Sequence, residues 1–187
     1  SNTVAGYASC GAGVGPTALD QHVGEVKAYT TRVGNGPFPT ELLDACGDNL
    51  RQIGNEYGAT TGRNRRCGWF DAPVVRKAAM VNGLTHLAIT KLDVLDNFDS
   101  IKICTAYKCD GETLDLIPNQ LSKVGRCEPV YEEMPGWKQD TTACKSWDEL
   151  PENAKNYLKR LAELVDVKIG MVSVGARRDQ SIIIDME

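Results

Sequence analysis

No stretch of this sequence approaches the roughly 20 consecutive apolar residues that a helical bilayer span requires. A charged-then-apolar opening of the secretory type is also missing, so neither a membrane nor an export route is expected. Histidine is scarce, with only His22 and His86, well separated and without an obvious nucleophile or acid beside either. Cysteine occurs seven times, at positions 10, 46, 67, 104, 109, 127 and 144, yet never as a CxxC pair. Without such ligand spacings a zinc site is not indicated, and scattered reduced thiols point to a cytoplasmic protein. Basic residues do not predominate: 21 Lys+Arg stand against 25 Asp+Glu, a net charge of -4. That balance argues against sequence-independent nucleic-acid binding while leaving room for one local basic site. Walker and GxGxxG patterns are absent, so Gly34-Asn35-Gly36-Pro37 reads as a turn and not as a phosphate loop.

What is present suits an ordinary globular chain. The 187 residues, 42% hydrophobic and 25% charged, can bury a core without metal or disulfide staples. Residues 1–16 are Gly-rich and lack an initiator Met, which reads as a connecting loop inside a larger protein. Apolar spacing predicts helices over 17–25, 40–57, 72–81 and 147–165, the third closed by Asn82-Gly83. Strands are expected at 26–33, 86–90, 101–107, 113–117, 167–174 and 181–186. Such mixing of helices and strands gives an α/β or α+β class.

Three segments can carry chemistry. In Ala59-Thr60-Thr61-Gly62-Arg63-Asn64-Arg65-Arg66, two hydroxyls, a glycine and three arginines form a compact anion-binding loop. A solvated basic turn accounts for the composition equally well. With its small residues and like charges, the loop is expected to be held loosely without a ligand. Thr90-Lys91-Leu92-Asp93 follows the apolar strand 86–90, and the C-terminal ends of strands are where α/β sheets bind ligands. An Asp there can accept from N1–H and the 2-amino group of guanine, while the Lys stem lies along the base. Adenine lacks both donors on that edge, so a desolvated Asp left unpaired would reject it. The plainer reading is an Asp capping the next turn. Ser173-Val174-Gly175 ends a second apolar strand in a sharp turn whose backbone N–H groups suit a base carbonyl or phosphate, or simply close a β-turn.

Taken together, these segments resemble adenylosuccinate synthetase over nearly the whole chain. The matching runs include SNTVAG, VKAYTTRVGNGPFPTEL, NEYGATTGRNRRCGWFD, LAITKLDVLD, PVYEEMPGW and SVGARRDQSIII. The resemblance implies the mixed α/β C-terminal portion of a P-loop-related, GTP-dependent ligase that joins L-aspartate to IMP with Mg²⁺. By motif, Ala59, Thr60, Thr61, Gly62, Arg63, Asn64 and Arg65 look like the aspartate-binding loop. Arg63 also looks like the contact to IMP, and Arg65 like one facing GTP. Lys91, Leu92 and Asp93 resemble the guanine-recognition segment, and Ser173, Val174 and Gly175 the second wall of that base site. The resemblance divides the chain into 1–35, the end of a core nucleotide-binding domain, and 36–187, a C-terminal domain carrying aspartate and guanine recognition. The family's phosphate loop, catalytic Asp, catalytic His and most Mg²⁺ ligands have no counterpart in these residues, so no catalytic or metal-ligating residue is assigned and the chain is expected to be inactive alone. A homodimer is implied for the full enzyme. The alternative is a free-standing guanine-nucleotide-binding module without ligase activity.

Overall fold

The segments VGEVK, HLAIT and KIGMVS become three parallel strands, and the rest of the molecule is arranged around them. The structure, a computed structural model, describes residues 3–184. In chain order its elements are α1 (Gly6–Ala12), β1 (Val23–Lys27), β2 (Thr30–Arg32), α2 (Ala45–Ile53), β3 (Arg66–Gly68), β4 (Phe70–Asp71), α3 (Ala72–Asn82), β5 (His86–Thr90), β6 (Ser100–Cys109), β7 (Glu112–Leu114), α4 (Leu121–Val124), β8 (Glu128–Pro135), α5 (Glu152–Val165), β9 (Lys168–Ser173) and β10 (Ser181–Ile183). One sheet runs β1-β5-β9-β10, parallel across the first three strands and antiparallel at β10. A second sheet is built on β6, flanked by β4 and by the antiparallel strands β7 and β8. The mixed α/β class is therefore as expected.

Helix α3 shows how local signals succeed. Asp71 caps it by accepting from the Val74 N–H at 3.3 Å, Pro73 lies in its first turn, and Gly83 closes it in the left-handed conformation (φ +58°). The same carboxylate accepts the buried Tyr107 hydroxyl at 2.6 Å and the Thr40 hydroxyl at 3.4 Å, which ties α3 to β6. Asp71→Ala is expected to lower stability by about 3 kcal/mol, since it removes a cap and leaves buried hydroxyls unpaired. Urea unfolding checks this against the unchanged chain.

Helix α5 buries Ala154, Tyr157, Leu158, Leu161 and Val165, matching the apolar face expected from spacing. It begins at Glu152, not Trp147, because Pro151 holds an extended ψ of 145° and biases Leu150 away from helix. Tyr157 donates to the Ala28 carbonyl at 2.6 Å, pinning the helix to the chain just beyond β1.

Other expectations are corrected. Residues 17–25 do not form a helix: a short turn at Pro16–Ala18 leads into β1, because Val23 to Lys27 pair residue by residue with His86 to Thr90. The strand expected over 26–33 is two strands, β1 and β2, which belong to different sheets. The helix expected at 40–57 is confined to α2, capped by Asp44 through the Cys46 and Gly47 N–H groups, because residues 41 and 42 pair with β3 instead. The Gly-rich opening contains α1, whose Gly13 closes it at φ +69° and whose approach is anchored by the Ala5 N–H on Asn82 Oδ1 at 2.7 Å. Strand β8, with its acidic EE pair and terminal prolines, carried no apolar alternation to reveal it. The last expected strand ends at Ile183, with residues 185 and 186 outside the described range.

Candidate functional site

Because β1, β5 and β9 are parallel, their C-terminal ends open on one edge of the sheet, the position where α/β sheets hold ligands. Lys27 ends β1, Lys91 follows β5 and Ser173 ends β9.

After β5 the backbone enters the left-handed region at Lys91 (φ +60°) and a tight turn covers Leu92–Leu95. Leu92 is fully buried, so only its backbone can face a ligand. Asp93 is different. Its Oδ1 is shut off from solvent and no hydrogen bond reaches it, and burial pushes its carboxyl above the usual carboxylate range. A shielded acceptor without a donor is costly unless a ligand supplies one.

The turn after β9 lies beside this segment, for Ile89 pairs with Val172 and the 92–95 turn packs on β9. Ser173 Oγ donates to the Gly175 carbonyl at 2.9 Å and the Val174 N–H to the Gln180 carbonyl at 2.9 Å. Val174 itself is buried. A Cβ at Gly175 would lie 2.3 Å from the Gln180 side-chain amide, which would have to swing aside.

The arginine-rich segment is a small hairpin. Tyr57 and Asn64 bridge, the Gly58 N–H donates to the Arg63 carbonyl at 2.8 Å, and the Gly62 N–H to the Gly58 carbonyl at 2.8 Å. Its base is thus tied more firmly than composition suggested, while residues 59–64 at the tip are exposed. The three arginines have separate fates. Arg63 stands at the tip with no ion pair among the described residues. Arg66 is consumed structurally by Glu41 and by the Gly34 and Gly36 carbonyls. Arg65 reaches inward to Glu56 at 2.9 Å, and its Nε is buried without a partner.

Glu56 was not picked out by sequence reasoning, nor were Lys27 and Tyr29. Its carboxylate is fully buried and accepts from Lys27 at 2.8 and 2.9 Å, Tyr29 at 2.6 Å, Lys91 at 3.0 Å and Arg65 at 2.9 Å. Burial alone would raise its pKa, but hydrogen bonds from Lys27, Tyr29, Lys91 and Arg65 more than offset this and hold it at about 2. The only sequence hint is an acid two residues before GATTGR, and no spacing rule links it to residues 27, 29 or 91.

The sign of the pH effect follows. A carboxyl held below its ordinary 4.5 contributes stability that is complete above that value and is lost as pH falls toward about 2. Urea unfolding of the chain between about pH 6 and pH 3 should show a loss on the order of 2 kcal/mol that Glu56→Gln lacks. Parallel acid slopes for the two proteins would contradict it.

Several other groups are accounted for. Asp96 accepts from Trp137 at 2.6 Å and from Thr141, which fixes the 136–141 loop. His86 is buried beside Thr85, and both histidines lie at the other end of β1 and β5 from the cluster. An apolar cavity of about 630 Å³ between α1, β1 and α3 includes none of the cluster residues. Among the described residues no group of three or more His, Cys, Asp or Glu is placed to hold a metal ion. No helix among them is long and apolar enough to cross a membrane.

Fold and site together define an α/β protein with a cationic cluster beside the C-terminal edge of its parallel strands: three cations, one buried carboxylate and one unpartnered acceptor. The family model for adenylosuccinate synthetase matches residues 1–182. The chain is 59% identical over 184 residues to the adenylosuccinate synthetase of Trichlorobacter lovleyi, covering 98% of this chain and 43% of that protein. It is 58% identical over 185 residues to that of a Picosynechococcus species, covering 99% and 42%. The solved structure of fully ligated adenylosuccinate synthetase from Plasmodium falciparum superposes with a TM-score of 0.94 at 40% identity, covering 99% of this chain and 45% of that one. The chain belongs to the adenylosuccinate synthetase family, and it spans less than half the length of these relatives.

Proposed function

We propose that this chain is the aspartate- and guanine-recognition portion of a GTP-dependent ligase that joins L-aspartate to IMP in purine biosynthesis. The observation that carries the reading is Asp93 Oδ1, a shielded acceptor with no donor, set beside the Ser173–Gly175 turn at the ligand edge of the sheet. Guanine offers two donors, N1–H and the 2-amino group, to such a carboxylate, and the stem of Lys91 lies along the base.

In the reaction, the GTP γ-phosphoryl group passes to O6 of IMP and releases GDP. The aspartate amine then attacks C6 and phosphate departs, giving adenylosuccinate. The first step turns a poor oxygen leaving group into a good one. Thr60 and Thr61 hydroxyls and the hairpin backbone from Ala59 to Asn64 receive aspartate. Arg63 clamps a carboxylate and reaches the IMP ribose. Arg65, with its Nε free, faces the GTP side. Residues 1–35 belong in this reading to a core nucleotide-binding domain, whose sheet continues through the β1–β5 pairing. Mg²⁺, when bound, neutralises charge on the transferring phosphoryl group, and its ligands are assigned outside this chain. The full enzyme is a cytoplasmic homodimer.

A free-standing guanine-nucleotide module is less favoured, since the synthetases that match are more than twice as long. The test is direct. The purified 187-residue chain, given GTP, IMP, aspartate and Mg²⁺, is expected to form no adenylosuccinate, while the full-length protein containing it does. Turnover by the chain alone would place phosphate-handling groups within these residues and overturn the division.

A further inference from the structure

We propose that Glu56 is a positioning residue that couples the aspartate hairpin to the guanine segment, an inference that rests on the functional reading above. Its four donors come from two sides. On one side, Lys27 spends its three N–H groups on Thr31 Oγ1 and both Glu56 oxygens, and Tyr29 adds its hydroxyl. These two hold the carboxylate in place. On the other side stand Arg65, at the base of the hairpin, and Lys91, at the head of the guanine segment. Both keep donors in reserve: Arg65 Nε has no partner, and Lys91 uses two of its three N–H groups, on Glu56 and the Gly54 carbonyl.

The charges do not cancel. Three cations around the Glu56 carboxylate leave an excess of positive charge even with the Asp93 carboxyl close by, which favours anions at this edge. An anion that draws on Arg65 or Lys91 shifts the share of the common carboxylate left to the other, so each segment responds to what the other holds.

The backbone is built for this arrangement. After α2 the chain turns at Gly54, where an added Cβ would lie 2.2 Å from the Tyr29 hydroxyl, and at Asn55, which is left-handed (φ +50°). The turn delivers Glu56 inward, and its carbonyl also accepts the Arg65 N–H at 3.0 Å.

The test is steady-state kinetics on the full-length protein containing this chain, with thermal unfolding of each variant. Glu56→Gln keeps the shape but leaves three cations facing one another. It is expected to raise the KM for aspartate and for GTP together, each by about tenfold or more, with kcat and the KM for IMP changing by less than about threefold. Glu56→Asp keeps the charge but withdraws it, and should raise the same two constants by a smaller factor. If Glu56→Gln fails to fold, Glu56→Asp decides alone. A lower Tm with the aspartate and GTP constants unchanged, or a change in only one of them, overturns the proposal. Asp93→Asn serves as the independent control: if it leaves GTP untouched, the guanine reading fails, whatever Glu56 does.

Discussion

Asp93→Asn in the full-length protein is expected to raise the KM for GTP by about 100-fold and to improve xanthosine triphosphate relative to GTP by at least as much. The reason lies in the donors. Asp93 Oδ1 is shielded and unpartnered, so it needs a group that gives a proton. Guanine gives two along one edge. An amide in place of the carboxylate turns one acceptor into an N–H that faces the 2-amino group, donor against donor. Xanthine carries a carbonyl at that position and accepts the new N–H, while its N1–H still meets the amide oxygen. Folding should be preserved, because relieving a buried carboxylate whose pKa is raised by desolvation removes a cost. Kinetics for both nucleotides check it, and identical constants for wild type and variant would remove Asp93 from the base site.

Arg63→Leu is expected to raise the KM for aspartate by about 30-fold to 5,000-fold, because losing one member of a desolvated charge pair costs roughly 2–5 kcal/mol. Here the unbound structure sharpens the expectation. Arg63 lies at the exposed hairpin tip and holds no ion pair among the described residues, so its removal strands no carboxylate there. Thermal stability should therefore stay within about 1 °C of the parent, as for surface substitutions generally. The same change at Arg66 should do the opposite. That guanidinium ties the Gly34–Gly36 turn to Glu41, so Arg66→Leu is expected to lower Tm and leave the aspartate KM largely intact.

Two nearby arginines in one motif thus separate into an exposed one, proposed to meet the ligand, and a structural one. Composition could not divide them, since both are charged and both follow the same glycine. Partners at a distance decide the matter: Glu41 lies 25 residues from Arg66 and faces it because the chain near residue 41 pairs with β3.

Elements with strong local signals were legible in sequence. The ends of α3 follow from an Asp cap, an early Pro and a Gly able to adopt positive φ. Strand β5 follows from an apolar run too short for a helix and destined for burial. By contrast, 17–25 offered a helix-like spacing at Leu19, Val23 and Val26 that lost to pairing with β5, a preference invisible until the partner strand is in place. The Asp93 and Ser173–Gly175 segments were legible because each directly follows an apolar strand, and the sheet sets those strands side by side.

Local chemistry therefore settled the elements with caps and unbroken periodicity, together with the residue types suited to anions and to a purine edge. Those effects act within a few residues and leave their mark on spacing. Packing alone settled the meeting of Lys27, Glu56, Arg65 and Lys91, which are brought together by the parallel pairing of β1 with β5 and the inward turn after α2. A buried carboxylate and its cations attract through space, so nothing in their order along the chain announces the cluster.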